Sequence, residues 1–322
     1  MAVYFNDLDH AVFFTLAYSD YFNFPLKKEE IYQRLPKVWD WNFLIGAKLK
    51  TIKLEINKNP EKLAKSLEKL EKKQKIAKLQ AENDCFYYFL KNRQELVKLR
   101  LNKEKSANKR RATIQQVHKF LALFPSIQAL ALTGSSAMNN ADLNDDLDFC
   151  IIVKKNTLWI TRFWVILAAK VLGKQPQIDA QAKNENKQAW CFNLWLDESS
   201  LNIVKRGFSI YQAYELIQMN YLFDKASIKK KLLSQNWQFS ELLNIHVKNN
   251  HLSAVKNNLI DDFLWLINYF FFFMQKIYRT LAFGKEDFSL NLYQAHFNQI
   301  DRQNMIFRSI KKKLQINAFT DL

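Results

Sequence analysis

The sequence predicts an α+β protein: a small mixed sheet at the centre, a helix-and-hairpin unit before it and helices after it. Three observations carry this expectation. Only five Gly and five Pro interrupt 322 residues that are 48% hydrophobic, a composition suited to long helices and a packed core. Apolar residues recur at helical spacing in residues 7–73 and 206–322. Between these regions, residues 129–196 read strand, Gly-Ser turn, short helix, strand, helix, strand, an order that suits helices packed on a sheet. A chain of this length holds two or three domains, read here as 1–105, 106–205 and 206–322.

The first unit opens with a helix from Asp7 to Tyr18, whose Leu8, Val12 and Leu16 share a face with Ala11 and Thr15. Phe24-Pro25-Leu26 breaks the chain, and a short second helix from Lys27 to Leu35 carries Ile31 and Leu35. Residues 36–56 fit less cleanly; Trp39, Trp41, Phe43 and Leu44 are expected to pack as an inserted helix or strand. A third helix, Glu61 to Lys73, stripes Leu63, Leu67 and Leu70 against lysines. Ile76–Gln80 and Cys85–Leu90 then flank a Glu-Asn-Asp turn, as a β-hairpin does. Helices followed by a hairpin make a winged-helix-like unit. Residues 1–111 hold 24 Lys and Arg against 14 Asp and Glu, +10 of the chain's net +17. Lys62, Lys65, Lys69, Lys72 and Lys73 could therefore meet nucleic-acid phosphates, or simply be a solvated face. No Arg, Asn or Gln set on the third helix is arranged for reading bases.

Lys103–Arg111 (KEKSANKRR) is polar and basic, and reads as a domain boundary. The Lys109-Arg110-Arg111 cluster begins the next helix, to about Leu123, and Arg111 reads first as a solvated helix start and second as a phosphate contact. Strands are expected at Ala129–Leu132, Leu147–Val153 and Trp190–Leu196. A helix from Thr157 to Leu172 stops at Gly173. Residues 206–322 read as all-helical, with segments at Ser209–Met219, Ile228–Ser234, Leu259–Phe283 and Asp301–Leu314.

The chemistry concentrates in residues 132–153, LTGSSAMNNADLNDDLDFCIIV. Asp146 and Asp148 open the second core strand. Residues i and i+2 of a strand share a face, so both carboxylates point beside the Gly134-Ser135 turn. Two like charges at close range are best tolerated around a divalent cation, and a glycine turn can offer amides to phosphate oxygens. A phosphate cradle beside a metal clamp is the minimum apparatus for phosphoryl or nucleotidyl transfer.

This pattern resembles the signature of the DNA polymerase β-like nucleotidyltransferase superfamily: Gly134-Ser135, about ten residues, then Asp146-Leu147-Asp148-Phe149 at the head of a strand. The resemblance covers roughly residues 112–205. A wider likeness of the whole arrangement to uncharacterised bacterial nucleotidyltransferase-domain proteins brings no substrate with it. The resemblance implies a nucleotidyltransferase core that uses an NTP and Mg²⁺, or Mn²⁺ in its place. Asp146 and Asp148 would be the metal ligands, and Gly134, Ser135 and Ser136 would contact nucleotide phosphates. Asp142 and Asp145 read as turn and cap residues, Asp145 with the option of a water-mediated metal contact. The superfamily usually adds a third carboxylate on a later strand, and here the central polar residue of that strand is Asn193. Asn can ligate through its carbonyl oxygen but cannot act as a base. Asn193 could hold the third catalytic position as a weaker ligand, Asp197 or Glu198 could reach back, or the site could bind nucleotide without turnover. Asp179 is a more distant acid.

The resulting expectation is an Mg²⁺-dependent nucleotidyltransferase moving an NMP to a hydroxyl of nucleic acid, protein or a small molecule. The rival is a catalytically degenerate nucleotide sensor that binds nucleic acid and regulates, with a protein-interaction scaffold as a third option. Cys85, Cys150 and Cys191 in apolar contexts suggest reduced thiols and a cytoplasmic setting. The scattered histidines suggest no zinc site. The start of the chain has no basic-then-apolar leader pattern. The uncharged run Phe263–Gln275 is too short to span a bilayer, so no stable membrane insertion is expected and this run is read as a buried core helix, with an interfacial membrane helix as the lesser alternative.

Overall fold

The computed structural model describes residues 6–45, 56, 59–82, 84–142, 145–173, 176–177, 190–204, 207–243, 245, 259–283, 289–297 and 302–316. Asp179 lies outside them. The first unit comprises α1 (Asp7–Tyr21), β1 (Leu26–Lys27), α2 (Lys28–Arg34), α3 (Trp41–Leu44), α4 (Pro60–Lys72), β2 (Ile76–Gln80) and β3 (Phe86–Leu90). Then come α5 (Glu95–Ala122), β4 (Ile127–Leu132), α6 (Gly134–Ala137), β5 (Leu147–Val153), α7 (Leu158–Val171), β6 (Pro176–Gln177) and β7 (Trp190–Asp197). The remainder is α8 (Ile210–Gln218), β8 (Asn220–Asp224), α9 (Ile228–Gln235), α10 (Leu259–Phe283), β9 (Ser289–Leu290), β10 (Gln294–His296) and α11 (Arg302–Ile316).

In the first unit, α1 starts on a reciprocal cap: Asn6 Oδ1 accepts from the Asp9 amide at 2.9 Å and Asp9 Oδ2 from the Asn6 amide at 3.0 Å. The buried Asp9 carboxylate also accepts from Ser66 Oγ at 2.7 Å and from Lys69 Nζ at 2.5 Å. Lys69 is thus turned inward to pin α4 to α1, whereas Lys62, Lys65, Lys72 and Lys73 are exposed. Strands β1, β3 and β2 form a three-stranded antiparallel sheet in that order. In residues 36–56, Trp39 and Trp41 are buried and α3 is the inserted element.

The core sheet runs β8-β4-β5-β7-β10-β9, with β6 also pairing β7. It is mixed: β4 and β5 are antiparallel, while β5 and β7 are parallel. One face, with Leu130, Phe149, Ile151 and Trp195, packs on Val117 and Leu121 of α5 and Trp159 and Val165 of α7. The other face, with Ala131, Cys150, Ile152 and Leu196, joins one continuous core with α1, α8, α9 and α11. The N-terminal unit and the C-terminal helices therefore close over the same side of the sheet.

Three expectations need correction. Residues 206–322 are not all-helical: β8 extends the sheet beyond β4, and β10 extends it beyond β7. The Lys109-Arg110-Arg111 cluster does not begin a helix: Lys103–Arg111 is the middle of α5, a single 28-residue helix, and Lys, Glu, Ala and Arg are good helix formers whatever their charge. The apolar run in α10 is not a buried core helix. Phe271 and Phe272 pack inward, but Phe263, Leu266, Phe270 and Phe273 are more than half exposed. Among the described residues no helix is long and apolar enough to cross a membrane.

Candidate active site

Strand β4 ends at Leu132, and the chain turns sharply through Gly134, whose φ is +57°. The Thr133 amide closes the ladder on the Asp148 carbonyl at 3.0 Å. That bond fixes the glycine turn beside the head of β5, and a Cβ built on Gly134 would lie 3.5 Å from Asp148 Oδ2. The predicted approach of the second motif aspartate to the turn is therefore present. The added methyl of Gly134→Ala would make ordinary contact with the carboxylate. Its cost comes from the left-handed backbone, and the variant should lose about 1–2 kcal/mol of stability in denaturant titration.

Asp146 precedes β5, and its charge acts on both Asp148 and Cys191. Burial holds the Asp148 carboxyl above the ordinary carboxylate range, Asp146 adds to that, and Arg302, Asn193 and Arg110 pull against it. A register shift between β5 and β7 puts one more residue on β7 between the Asp148↔Cys191 and Cys150↔Leu194 pairs. Such bulges re-aim side chains. Here Cys191 Sγ donates to Asn193 Oδ1 at 2.8 Å, and Asn193 Nδ2 donates to Asp148 Oδ1 at 2.5 Å. Of the sequence's options for the third position, Asn193 is the residue that reaches the motif.

Asp197 and Glu198 do not. Asp197 pairs with Val153 at the far end of the parallel ladder. Its buried carboxylate accepts from the Asn156 amide at 2.7 Å and from the Ser199 amide and hydroxyl at 2.9 and 2.5 Å. Glu198 accepts from the Lys155 amide and pairs with Lys231. Burial pushes the Asp197 carboxyl up to about 6, against the hydrogen bonds from Ser199 and Asn156. Its native pKa lies above the unfolded value, so between about pH 4 and pH 6 the unfolded chain ionises first and rising pH favours unfolding. Compared with Asp197→Asn, the wild type should lose on the order of 3 kcal/mol across that window. The check is the slope of denaturant-derived stability against pH.

Around the motif lies a cleft of about 150 Å³, whose lining includes Thr133, Gly134, Ser135 and Asp148. Its other walls come from far along the chain: Tyr18, Phe22 and Phe24 around α1, Arg34 of α2, Tyr211, Glu215 and Gln218 of α8, and Arg302 of α11. Sequence reasoning missed all of these, because no local pattern links them to the motif. Ser136 is not among the lining residues. It is buried, and its hydroxyl donates to the Asp146 carbonyl at 3.3 Å. Arg110, not the exposed Arg111, turns inward and donates to the carbonyls of Asp142, Asp145 and Asp146 at 3.2, 2.8 and 2.9 Å. It braces the acidic loop from behind. Asp145 caps that loop by accepting from the Asp142 amide at 2.8 Å. Asn140 ties the same region to the end of α1 through a 2.9 Å bond to the Phe22 carbonyl.

Among the described residues, no cluster of three or more His, Cys, Asp or Glu side chains is arranged to hold a metal ion. Asp146 and Asp148 alone suit an ion that takes its remaining ligands from water and phosphate, as Mg²⁺ commonly does. No family model, curated protein or solved structure matches the chain. Its functional reading therefore rests on the cleft.

Proposed function

We propose that this protein is a divalent-cation-dependent nucleotidyltransferase that moves a nucleoside monophosphate from an NTP to a hydroxyl acceptor. The observation that carries this is the Asp148 carboxyl packed against the Gly134 turn, in a cleft that also holds Arg34 and Arg302. Asp146 and Asp148 would hold Mg²⁺, or Mn²⁺ in its place. Bound there, the ion would offset phosphate charge and ease departure of pyrophosphate.

The chain's own groups do the rest. Among the described residues Arg302 is engaged in no hydrogen bond or ion pair, so its guanidinium is available to the triphosphate. Arg34 lines the same cleft. The Ser135 hydroxyl can donate to a phosphate oxygen, while Arg110 and Ser136 keep the aspartate loop in place. At about 150 Å³ the cleft takes part of an NTP, the remainder extending over its mouth. The basic N-terminal unit favours a nucleic-acid acceptor over a protein or small-molecule one. Three free cysteines suit a reducing, cytoplasmic setting.

Incubation with α-labelled NTPs, Mg²⁺ or Mn²⁺ and pooled RNA tests the reading through label transfer and pyrophosphate release. Metal-dependent nucleotide binding without either product would favour the second reading, a nucleotide-sensing, nucleic-acid-binding regulator. The neutral Asn193 at the position next to Asp148 favours that reading, because it supplies no base.

A further inference from the structure

We propose that Glu215 of α8 supplies the carboxylate that the sheet lacks, accepting the proton of the attacking hydroxyl from the wall of the cleft beside the motif. This rests on the transferase reading above.

Three observations carry it. Tyr211, Glu215 and Gln218 follow a spacing of four and three residues, so they form one stripe of α8, and all three line the cleft that Gly134, Ser135 and Asp148 also line. Second, among the described residues the Glu215 carboxyl takes part in no hydrogen bond or ion pair. An uncommitted acid on a cleft wall can accept from a ligand hydroxyl. Third, the strand position beside Asp148 carries Asn193, whose amide already donates to Asp148 and cannot take up a proton.

The electrostatics agree. Burial pushes the Glu215 carboxyl up to about 7, with Arg302 pulling it down and Asp148 pushing it further up. The groups facing it are Asp148 from β5, Arg302 from α11 and Tyr18 from α1, with Arg34 of α2 in the same cleft. A carboxylate near 7 is suited to general-base work at neutral pH. In the proposed step the acceptor's O–H bond breaks as its oxygen bonds the α-phosphorus. The proton passes to Glu215, and the bond from the α-phosphorus to the bridging oxygen breaks to release pyrophosphate.

The test uses the full chain with Mg²⁺, each NTP in turn and pooled RNA, reading pyrophosphate release from pH 5.5 to 9. The expected result for Glu215→Gln is a fall in kcat of about 10²–10⁴-fold with little change in KM for the NTP. The wild-type rise in rate through neutral pH should flatten in the variant. Glu215→Asp should restore part of the rate, and thermal melting of both variants separates a folding defect from a chemical one. A Glu215→Gln protein that keeps the wild-type kcat and pH profile overturns the assignment and leaves the transferase reading standing. A wild type that releases no pyrophosphate overturns both.

Discussion

Asp148→Asn should lower NTP-dependent transfer by about 10³-fold or more, while leaving the protein at least as stable as the wild type. The two halves of this expectation have one cause. Asp148 is held above the ordinary carboxylate range mainly by burial, with Asp146 adding like-charge repulsion. An ionised group in that position destabilises the fold unless a cation is bound. Asparagine keeps the shape, and its Oδ1 can still accept from Asn193 Nδ2, so neutralisation removes an electrostatic cost and creates no cavity. The charge that would draw a metal and triphosphate into the cleft is lost with it. Melting temperatures measured without nucleotide should therefore be unchanged or raised, and metal-dependent stabilisation by NTP should disappear. A variant that melted several degrees lower and kept its nucleotide response would make Asp148 a structural anchor and remove the basis for both the transferase and the sensor readings.

The motif was legible because everything that builds it is local. The end of β4, the glycine turn and the head of β5 lie within about twenty residues, and the Thr133–Asp148 ladder bond sets the second aspartate beside the turn. Asn193 was legible as the polar residue of the next core strand, but its partner was not. The β-bulge that re-aims it toward Asp148 depends on pairing across more than forty residues. The walls of the cleft were illegible for the same reason. Arg34, Glu215 and Arg302 look like ordinary polar positions on amphipathic helices, and only closure of three helices over one sheet face brings them together.

The misreadings share a physical origin too. Asn220–Asp224 and Gln294–His296 are too short to show alternation, so strands β8 and β10 vanished into a helical background. Charge in Lys103–Arg111 suggests a break before a helix beginning at Lys109, although a long helix can carry such residues on its solvated side. In α10 hydrophobicity reported composition and not cover: the helix uses Phe271 and Phe272 against α7 and the sheet, while much of its remaining apolar surface faces outward.

Arg100→Met should cost about 3–5 kcal/mol of stability. Arg100 is 4% exposed. It donates from Nη1 to Glu30 Oε2 and from Nη2 to Glu30 Oε1, both at 2.7 Å, from Nε to Glu104 at 2.9 Å, and from Nη1 to the Pro25 carbonyl at 2.5 Å. Its guanidinium Cζ also lies 4.1 Å from the centre of the Phe24 ring. Methionine keeps much of the stem volume, so the loss comes from stranding Glu30 and the Pro25 carbonyl. Burial alone would push the Glu30 carboxyl up, but the hydrogen bonds and charge of Arg100 outweigh it and hold the group below its ordinary value. A depressed acid stabilises above its unfolded pKa and loses that contribution as pH falls through its native one. The wild type should therefore lose stability on the acid side of about pH 4.5, and Arg100→Met should lack that limb in urea titrations. Because Phe24 and Arg34 flank this cluster and line the cleft, KM for the NTP should rise as well. Adding Glu30→Gln should recover part of the loss, since a neutral amide tolerates burial without its arginine better than a carboxylate does. If the double variant is no more stable than Arg100→Met alone, the arginine acts through its contacts with Phe24 and Pro25 and the ion pair contributes little.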